Sequence, residues 1–277
     1  MSLDDLFSLK NRVIVITGGG GLLGARHAEA IAEANGIPVI VDRTAAAADA
    51  VAKDIGQRFD VPVLGVTADI TSPEDVGRMV DSVVASFGRI DGLVNNAALT
   101  VKSGSEDLAG YFAPFEEYRL DLWERALRVN LTGMFLCTQA VGRVLKSQRS
   151  GVIVNIASVA GVVGPDHRIY EGIRNQYGGE AFNTPVSYST TKTAVLGFTR
   201  YLATYWAKEN IRVNALSPGG VFDDHDETFV KAYSYRVPLG RMANRDEYKG
   251  GLIFLCSDAS SYMTGANLVV DGGWTAW

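Results

Sequence analysis

Apolar runs of strand length alternate along this chain with longer stretches whose apolar residues recur at helical spacing. The run 12–17, RVIVIT, is rich in β-branched residues and stops at four glycines. Residues 22–35 then have helical character, 37–42 reads as a second strand, and the alanine-rich stretch 44–59 as a second helix. Segments 63–68 and 92–95 are the next strands. The helix between them opens at Thr71-Ser72-Pro73-Glu74, a capping residue followed by proline at the first helical position and an acid. A helix over 120–148 leads to a strand at 151–157, one over 186–209 to 211–216, and one over 246–257 to 267–270. Strands apolar nearly throughout, each followed by a helix, predict a single α/β domain over 1–277, a doubly wound parallel sheet covered on both faces.

Two stretches break the alternation: 101–118, polar and aromatic, and 164–185, long and irregular. Loops of this length in a compact domain are uncommon and often functional. In an open parallel sheet the ligand lies beyond the carboxyl ends of the strands, where both stretches emerge. They are candidates for substrate contact, with a tolerated insertion or an oligomer contact as the alternative.

Composition narrows the classes. A chain of 277 residues, 47% hydrophobic and 21% charged, can bury a large core. A formal charge of −5 leaves no basic footprint for nucleic acid or anionic lipid. The acidic start, Met1-Ser2-Leu3-Asp4-Asp5, does not read as a signal peptide, and no apolar stretch approaches the ~20 residues of a membrane span. Cys137 and Cys256 lie far apart in apolar segments, as buried reduced thiols do. The expectation is a cytoplasmic protein acting on a small molecule, without nucleic-acid or membrane partners.

The stretch 17–24, TGGGGLLG, follows the first strand and opens a helix. Glycines there let the backbone approach a ligand, and the helix N-terminus offers free N–H groups to a pyrophosphate. Asp42 stands eighteen residues beyond Gly24, at the end of the second strand. A carboxylate at that place accepts hydrogen bonds from adenosine ribose hydroxyls and repels a 2′-phosphate, so NAD is favoured over NADP. The neighbouring Arg43 can stack on adenine or tolerate a 2′-phosphate. Farther on, Tyr188 is the only one of eleven tyrosines followed by lysine four residues later, Lys192, which puts both on one helix face. A phenol is a poor proton carrier at neutral pH, and a neighbouring ammonium and a cationic nicotinamide would bring it closer to the working range. Alone, such a pair is more often a surface contact.

These pieces, in this order, resemble the short-chain dehydrogenase/reductase family over nearly the whole chain. The resemblance is carried by the glycine turn 17–24, Asp69, Asn95-Asn96-Ala97-Ala98, Asn130 in RVNLTGMF, Ser158 in VNIASVAG, Tyr188 and Lys192. Asn214-Ala215-Leu216-Ser217-Pro218-Gly219 and Val270-Asp271-Gly272-Gly273 complete it. It implies a Rossmann-type sheet and hydride transfer between a nicotinamide cofactor and a substrate carbon–oxygen group. By the same resemblance Tyr188 is the acid/base and Lys192 holds the nicotinamide ribose and lowers the Tyr188 pKa. Ser158 bonds the substrate oxygen, and Asn130 holds a water that links Lys192 to solvent. Gly18, Gly21, Leu22, Leu23 and Gly24 would cradle phosphate, with Asp42 and Arg43 at the ribose. Asp69 and Ile70 would meet adenine, Asn96 and Ala97 the cofactor-side core, and Pro218, Gly219 and Val221 the nicotinamide. The relatives are usually tetramers or dimers that pack the long helices before and after the Ser158 strand, so a homotetramer or homodimer is implied, with Trp274 and Trp277 compatible with a subunit contact.

Three departures stand out. Leu22 occupies a position where the single-domain branch usually has glycine, and the spacing Gly18, Gly21, Gly24 is that of the larger sugar-nucleotide-modifying branch. Ser158 and Tyr188 lie thirty positions apart, about twice the family's gap. The added residues include Asp166, His167, Arg168, Tyr170, Glu171, Arg174 and Asn175. This polar set, and a resemblance of 165–172 and 184–186 to a surface-polysaccharide and flagellin-glycan subgroup, points to a hydrophilic, sugar-like substrate, with Tyr170, Glu171 and Arg168 as candidate contacts. After Pro218-Gly219 the chain lacks the family's threonine, which Asp223 or a main-chain group would replace, and 222–238 reads as a lid. Asp224 and Asp226 flank His225, but without further ligands at suitable spacing no metal site is predicted. The leading expectation is an NAD-dependent dehydrogenase or reductase. The alternatives are a sugar epimerase or dehydratase using bound NAD transiently, a 3-oxoacyl-type carbonyl reductase, and a cofactor-binding regulator.

Overall fold

In the computed structural model, which describes residues 2–99, 108–173 and 182–277, seven parallel strands form one sheet in the order β3-β2-β1-β4-β5-β6-β7. In chain order the elements are α1 (Leu3–Phe7), β1 (Val13–Thr17), α2 (Leu22–Glu33), β2 (Ile37–Asp42), α3 (Ala45–Arg58), β3 (Leu64–Thr67), α4 (Pro73–Phe87) and β4 (Gly92–Asn95). They continue with α5 (Leu108–Tyr111), α6 (Leu120–Leu127), α7 (Met134–Gln148), β5 (Gly151–Ile156), α8 (Val186–Tyr205), β6 (Ile211–Pro218), α9 (Glu227–Arg236), α10 (Lys249–Cys256) and β7 (Asn267–Val270). No described helix is long and apolar enough to cross a membrane.

Alternation along β1 explains the two layers. Val13 and Val15 face α4 and α7 through Met79, Val83, Val141 and Leu145, whereas Ile14 and Ile16 face α2, α3 and α10 through Ile31, Ile55 and Leu252. Each such side chain contributes about 1.5–3 kcal/mol when fully buried. The first strand pairs with β2 on one side and β4 on the other, Val15 meeting Val39 and Leu93. The strand order therefore turns back between β1 and β4, and the crevice beyond their carboxyl ends is the ligand position of such sheets.

Two differences from the sequence reading matter. The helix expected over 120–148 is interrupted by a π-helical turn, Arg128–Gly133. A π turn widens a helix by one residue and is frequent at functional sites. In addition, Trp274 is buried in its own chain, its ring stacked on Tyr233 at 4.5 Å, while Trp277 is exposed. Of the irregular stretch 164–185, residues 167–170 form a 3-10 turn and 182–185 lead into α8, but Arg174 and Asn175 lie outside the described residues. So does the part of the stretch 101–118 that precedes α5, residues 101–107.

Candidate active site

A cleft of about 1030 Å³ runs along the carboxyl ends of the strands. Gly18, Gly21, Leu22, Leu23, Gly24, Asp42, Arg43, Asp69, Ile70, Asn96, Ala97, Pro218, Gly219 and Val221 all line it. At its floor the glycine turn is packed on main chain. Gly18 has φ +62°, and a Cβ there would come 2.8 Å from the Cα of Ala97. A Cβ on Gly24 would come 2.1 Å from the carbonyl oxygen of Gly18, so α2 sits on the turn at a distance only glycine permits. Asn96 holds the turn from the side, its Nδ2 donating to the carbonyls of Thr17 (2.9 Å) and Gly18 (3.1 Å).

The first turn of α2 has no side-chain cap at Gly21 and no acidic residue. By contrast α4 is capped by Ser72, with Glu74 and Asp75 in its first turn. Uncapped amides opening on a cleft suit an anion. Asp42 ties the turn to β2, accepting from the amides of Gly20 (3.2 Å) and Thr44 (3.1 Å). Its acceptor capacity exceeds these two bonds. Asp69 accepts from the Thr71 amide and hydroxyl, both at 2.8 Å, and these bonds, with Arg128 and Arg43 nearby, hold its carboxyl below the usual range. A glycine cradle, an uncapped helix end and a carboxylate at the end of β2 fit a dinucleotide.

Ser158, Tyr188 and Lys192 converge in the middle of the cleft. Ser158 follows β5 and caps the 3-10 turn Val159–Gly161, its Oγ accepting from the Ala160 amide at 3.2 Å. A Cβ on Gly161 would come 2.5 Å from the Lys192 carbonyl group, so this turn lies directly on the backbone of α8. Lys192 is buried and its Nζ donates to the Ile156 carbonyl at 2.7 Å, which places the ammonium over the Tyr188 ring, 5.7 Å from its centre. Burial pushes the Lys192 pKa down to about 8. Burial also raises the Tyr188 phenol, and its hydrogen bond with Ser158 offsets this in part.

The cleft holds other phenols, and each is committed elsewhere. Tyr111 donates to the Leu99 carbonyl (3.3 Å), Tyr170 pairs with Thr184 Oγ1 (3.0 Å), and Tyr233 accepts from the Gly220 amide (2.5 Å). Behind Tyr188, Asn130 sits buried in the π turn. It accepts from the Leu99 amide at 2.7 Å and donates to Thr191 Oγ1 at 3.0 Å, joining the segment after β4 to α8. Below it, Asn95 donates to Thr138 and to Asn155, and Asn155 to Thr199, all at 2.9 Å, bracing β4 and β5 against α7 and α8.

On the substrate side the described polar candidates of the insertion divide. Arg168 and Glu171 are exposed and do not line it, and Arg168 pairs with Asp166 at 2.7 Å. Tyr170 does line it, with Ile169 beside it. Asp223 lines the cleft too, but its carboxylate pairs with Arg245 at 2.5 Å. The lid stem is fixed by the amide of Phe222 donating to Ala243 and that of Ala243 to Gly220, both at 2.9 Å, bonds in which the main-chain groups of Val221 take no part. The sequence reading held Tyr111 and Thr184 only within its candidate stretches and Tyr233 only within its lid, and it missed Arg125, Arg128 and Trp274 as lining residues. Only the Asp271-Gly272-Gly273 ending pointed toward Trp274, which follows it.

The sequence pattern described as short chain dehydrogenase matches residues 12–170, and that described as enoyl-(acyl carrier protein) reductase matches 172–275. A sorbose reductase of Candida albicans is 31% identical over 98% of this chain and 89% of its own. A 3-oxoacyl-[acyl-carrier-protein] reductase of Aquifex aeolicus is 34% identical over 96% and 98%. Among solved structures, a gluconate 5-dehydrogenase of Burkholderia cenocepacia, in complex with NADP and tartrate, superposes with a TM-score of 0.84 at 31% identity, covering both chains completely. The chain belongs to the short-chain dehydrogenase/reductase family, nicotinamide-dependent oxidoreductases that interconvert alcohol and carbonyl groups.

Proposed function

We propose that this single-domain enzyme interconverts a secondary alcohol and a ketone on a polar, sugar-like substrate, with NAD as its preferred cofactor. The observation that carries the mechanism is the convergence of Ser158, Tyr188 and Lys192, with Tyr188 the one phenol among those described in the cleft that is turned to Ser158 rather than to a structural partner. A bound nicotinamide ring supplies the hydride acceptor or donor. Tyr188 moves the proton to or from the substrate oxygen, and Ser158 donates a hydrogen bond to that oxygen as charge develops on it. Lys192, already held by Ile156, orients the cofactor ribose and passes its proton toward solvent through a water kept by Asn130. The uncapped amides of Leu22, Leu23 and Gly24 receive pyrophosphate, Asp42 and Arg43 the adenosine ribose, and Asp69 and Ile70 the adenine. Asn96 and Ala97 support that floor, while Pro218, Gly219 and Val221 lie beside the nicotinamide.

NAD is favoured because the Asp42 carboxylate occupies the place a 2′-phosphate would take. The sugar-like substrate is supported by the sorbose and gluconate enzymes among the relatives. The 3-oxoacyl reductase keeps a second reading open, and a side-by-side screen of sugars, sugar alcohols and oxoacyl thioesters separates them. Exposed Phe135, Tyr201 and Tyr205 on α7 and α8 support a homodimer or homotetramer built on those helices. The deciding experiment is Tyr188→Phe. Turnover should fall about 10²–10⁴-fold while cofactor binding, followed by fluorescence, stays within about threefold. Unchanged turnover would remove Tyr188 from the chemistry.

A further inference from the structure

The lid residue His225 lines the same cleft as Tyr188. Its Nδ1 accepts from the Asp223 amide at 3.1 Å, so the ring proton resides on Nε2, leaving that nitrogen a donor with no partner in the chain's described bonds. The ring is flanked by Phe229, 5.2 Å away, and Phe222, 6.4 Å away, and burial lowers its pKa, which keeps it neutral at physiological pH. The Asp223–Arg245 ion pair anchors the segment that carries it.

Most charges around this half of the cleft are already engaged. Among the described lining residues, the guanidinium groups belong to Arg43, Arg125 and Arg128, and Arg43 and Arg128 stand near Asp69 at the cofactor end. On the substrate side Lys192 is engaged by Ile156, and Asp166 is held between Arg168 and Arg236. Apart from Arg125 on α6, no described cation of the lining is left there to receive a substrate carboxylate or phosphate. What remains are apolar ring faces, Tyr233 on Trp274 above all, and single hydrogen-bonding groups. Apolar walls with a few placed polar groups are the usual means of orienting a small ligand.

We propose that His225 is a specificity-determining residue, donating its Nε2–H to a hydroxyl oxygen of an uncharged polyhydroxylated substrate at a carbon other than the one being oxidised. The proposal rests on the alcohol–ketone reading above and sharpens its substrate from sugar-like to neutral polyol or ketose. The opposite half of such a substrate, its C–H face, packs on the Tyr233–Trp274 rings.

The test uses the full chain with saturating NAD and three substrates: a neutral pentitol or hexitol, the aldonate of equal length, and cyclohexanol, which has no second hydroxyl. The wild type should favour the polyol over the aldonate by about tenfold or more, since a buried carboxylate without a cation is costly. His225→Leu should raise KM for the polyol about tenfold, the loss of one substrate hydrogen bond, and leave kcat/KM for cyclohexanol within about twofold. His225→Gln, whose amide N–H reaches a similar distance, should restore most of the loss. Preference for the aldonate overturns the proposal, as does a loss on cyclohexanol equal to that on the polyol, which is the sign of a purely structural histidine. Turnover of oxoacyl thioesters far above any polyol overturns instead the sugar-like reading on which it stands.

Discussion

The cofactor end of the cleft is made of main chain at strand ends, whereas the substrate end is made of side chains carried on loops and on the short helix α9. At the first, Gly18 and Gly24 bring backbone within contact of backbone, and Asn96 and Asp42 stitch the turn to β4 and β2. At the second, Tyr170, Phe229, Tyr233 and Trp274 form a chain of rings across the 3-10 turn at 167–170, α9 and the segment after β7. Backbone cradles are set by φ and by close approach, so they fail sharply when altered. Ring clusters are set by shape and tolerate exchange, so they suit the part of a fold that varies with substrate.

The sharpest way to break this comparison is Gly24→Val. Its Cβ would lie 2.1 Å from the Gly18 carbonyl oxygen, and neither main-chain segment can move without dismantling the turn. Overpacking of this kind costs about 3 kcal/mol or more, and cofactor affinity should fall at least about 100-fold. Thermal unfolding with and without NADH measures both. Retention of cofactor-induced stabilisation would show that the cradle is less rigid than the close contacts indicate.

Lys192→Met separates chemistry from stability. Turnover should drop by about 10²–10³, comparable with loss of an acid/base partner. Stability of the unliganded chain should rise at neutral pH. Lys192 titrates near 8 when folded against 10.5 for the ordinary side chain, so below pH 8 both states are protonated and the burial cost is fully present. From about pH 8 to 10.5 the unfolded chain holds the proton that the folded chain has lost, stability rises with pH, and the advantage of the variant shrinks. The gain at pH 7 is on the order of 3 kcal/mol. Denaturant titrations at pH 7 and pH 10 check the sign. An advantage that grows with pH would contradict it.

The same contrast decides which features are legible in the amino-acid order alone. All seven strands are legible because a buried parallel strand is apolar nearly throughout, and RVIVIT ending in glycines has few other uses. The cofactor residues are legible because phosphate binding needs glycine at set intervals after a strand. The π turn is not: RVNLTG has the spacing of any helix, and the bonds its Asn130 makes in the fold go to Leu99 and Thr191, the second sixty-one residues away. The insertion misdirects for a related reason. Its conspicuous charges, Asp166 and Arg168, satisfy each other, with Arg168 turned out to the surface, and the less conspicuous Ile169 and Tyr170 beside them face inward. Charge is visible in a sequence; direction is not.

Asp42→Ala probes the cofactor end at a side chain rather than the backbone. Losing the carboxylate removes its repulsion of a 2′-phosphate and two bonds to the turn, from Gly20 and Thr44. The ratio of NADPH to NADH efficiency should move toward NADPH by about tenfold, part of it from weaker NADH binding. An unchanged ratio would transfer cofactor choice to Arg43.

Asp166→Asn should have the smallest effect and tests the loop-built half most directly. Asp166 joins two elements of the substrate wall: it pairs with Arg168 on its own turn and, at 3.0 Å, with Arg236 at the end of α9, whose guanidinium lies over Trp274. Hydrogen bonds and ion pairs from Arg168, outweighing its burial, bring its pKa to about 2, so it is charged at any working pH. That stabilisation is present above the ordinary carboxyl pKa and is lost as pH falls from there through about 2. Arg168 is largely exposed and Arg236 partly so, which limits the pairs to about 0.2–1 kcal/mol. Asparagine keeps the shape and loses the charge. The lid should then close less firmly, raising substrate KM about two- to threefold with kcat little changed, because Ser158, Tyr188 and Lys192 do not touch this pair. A fall in kcat without a change in KM would mean that the lid latch reaches the catalytic centre, and that the two halves of the cleft are less independent than their construction implies.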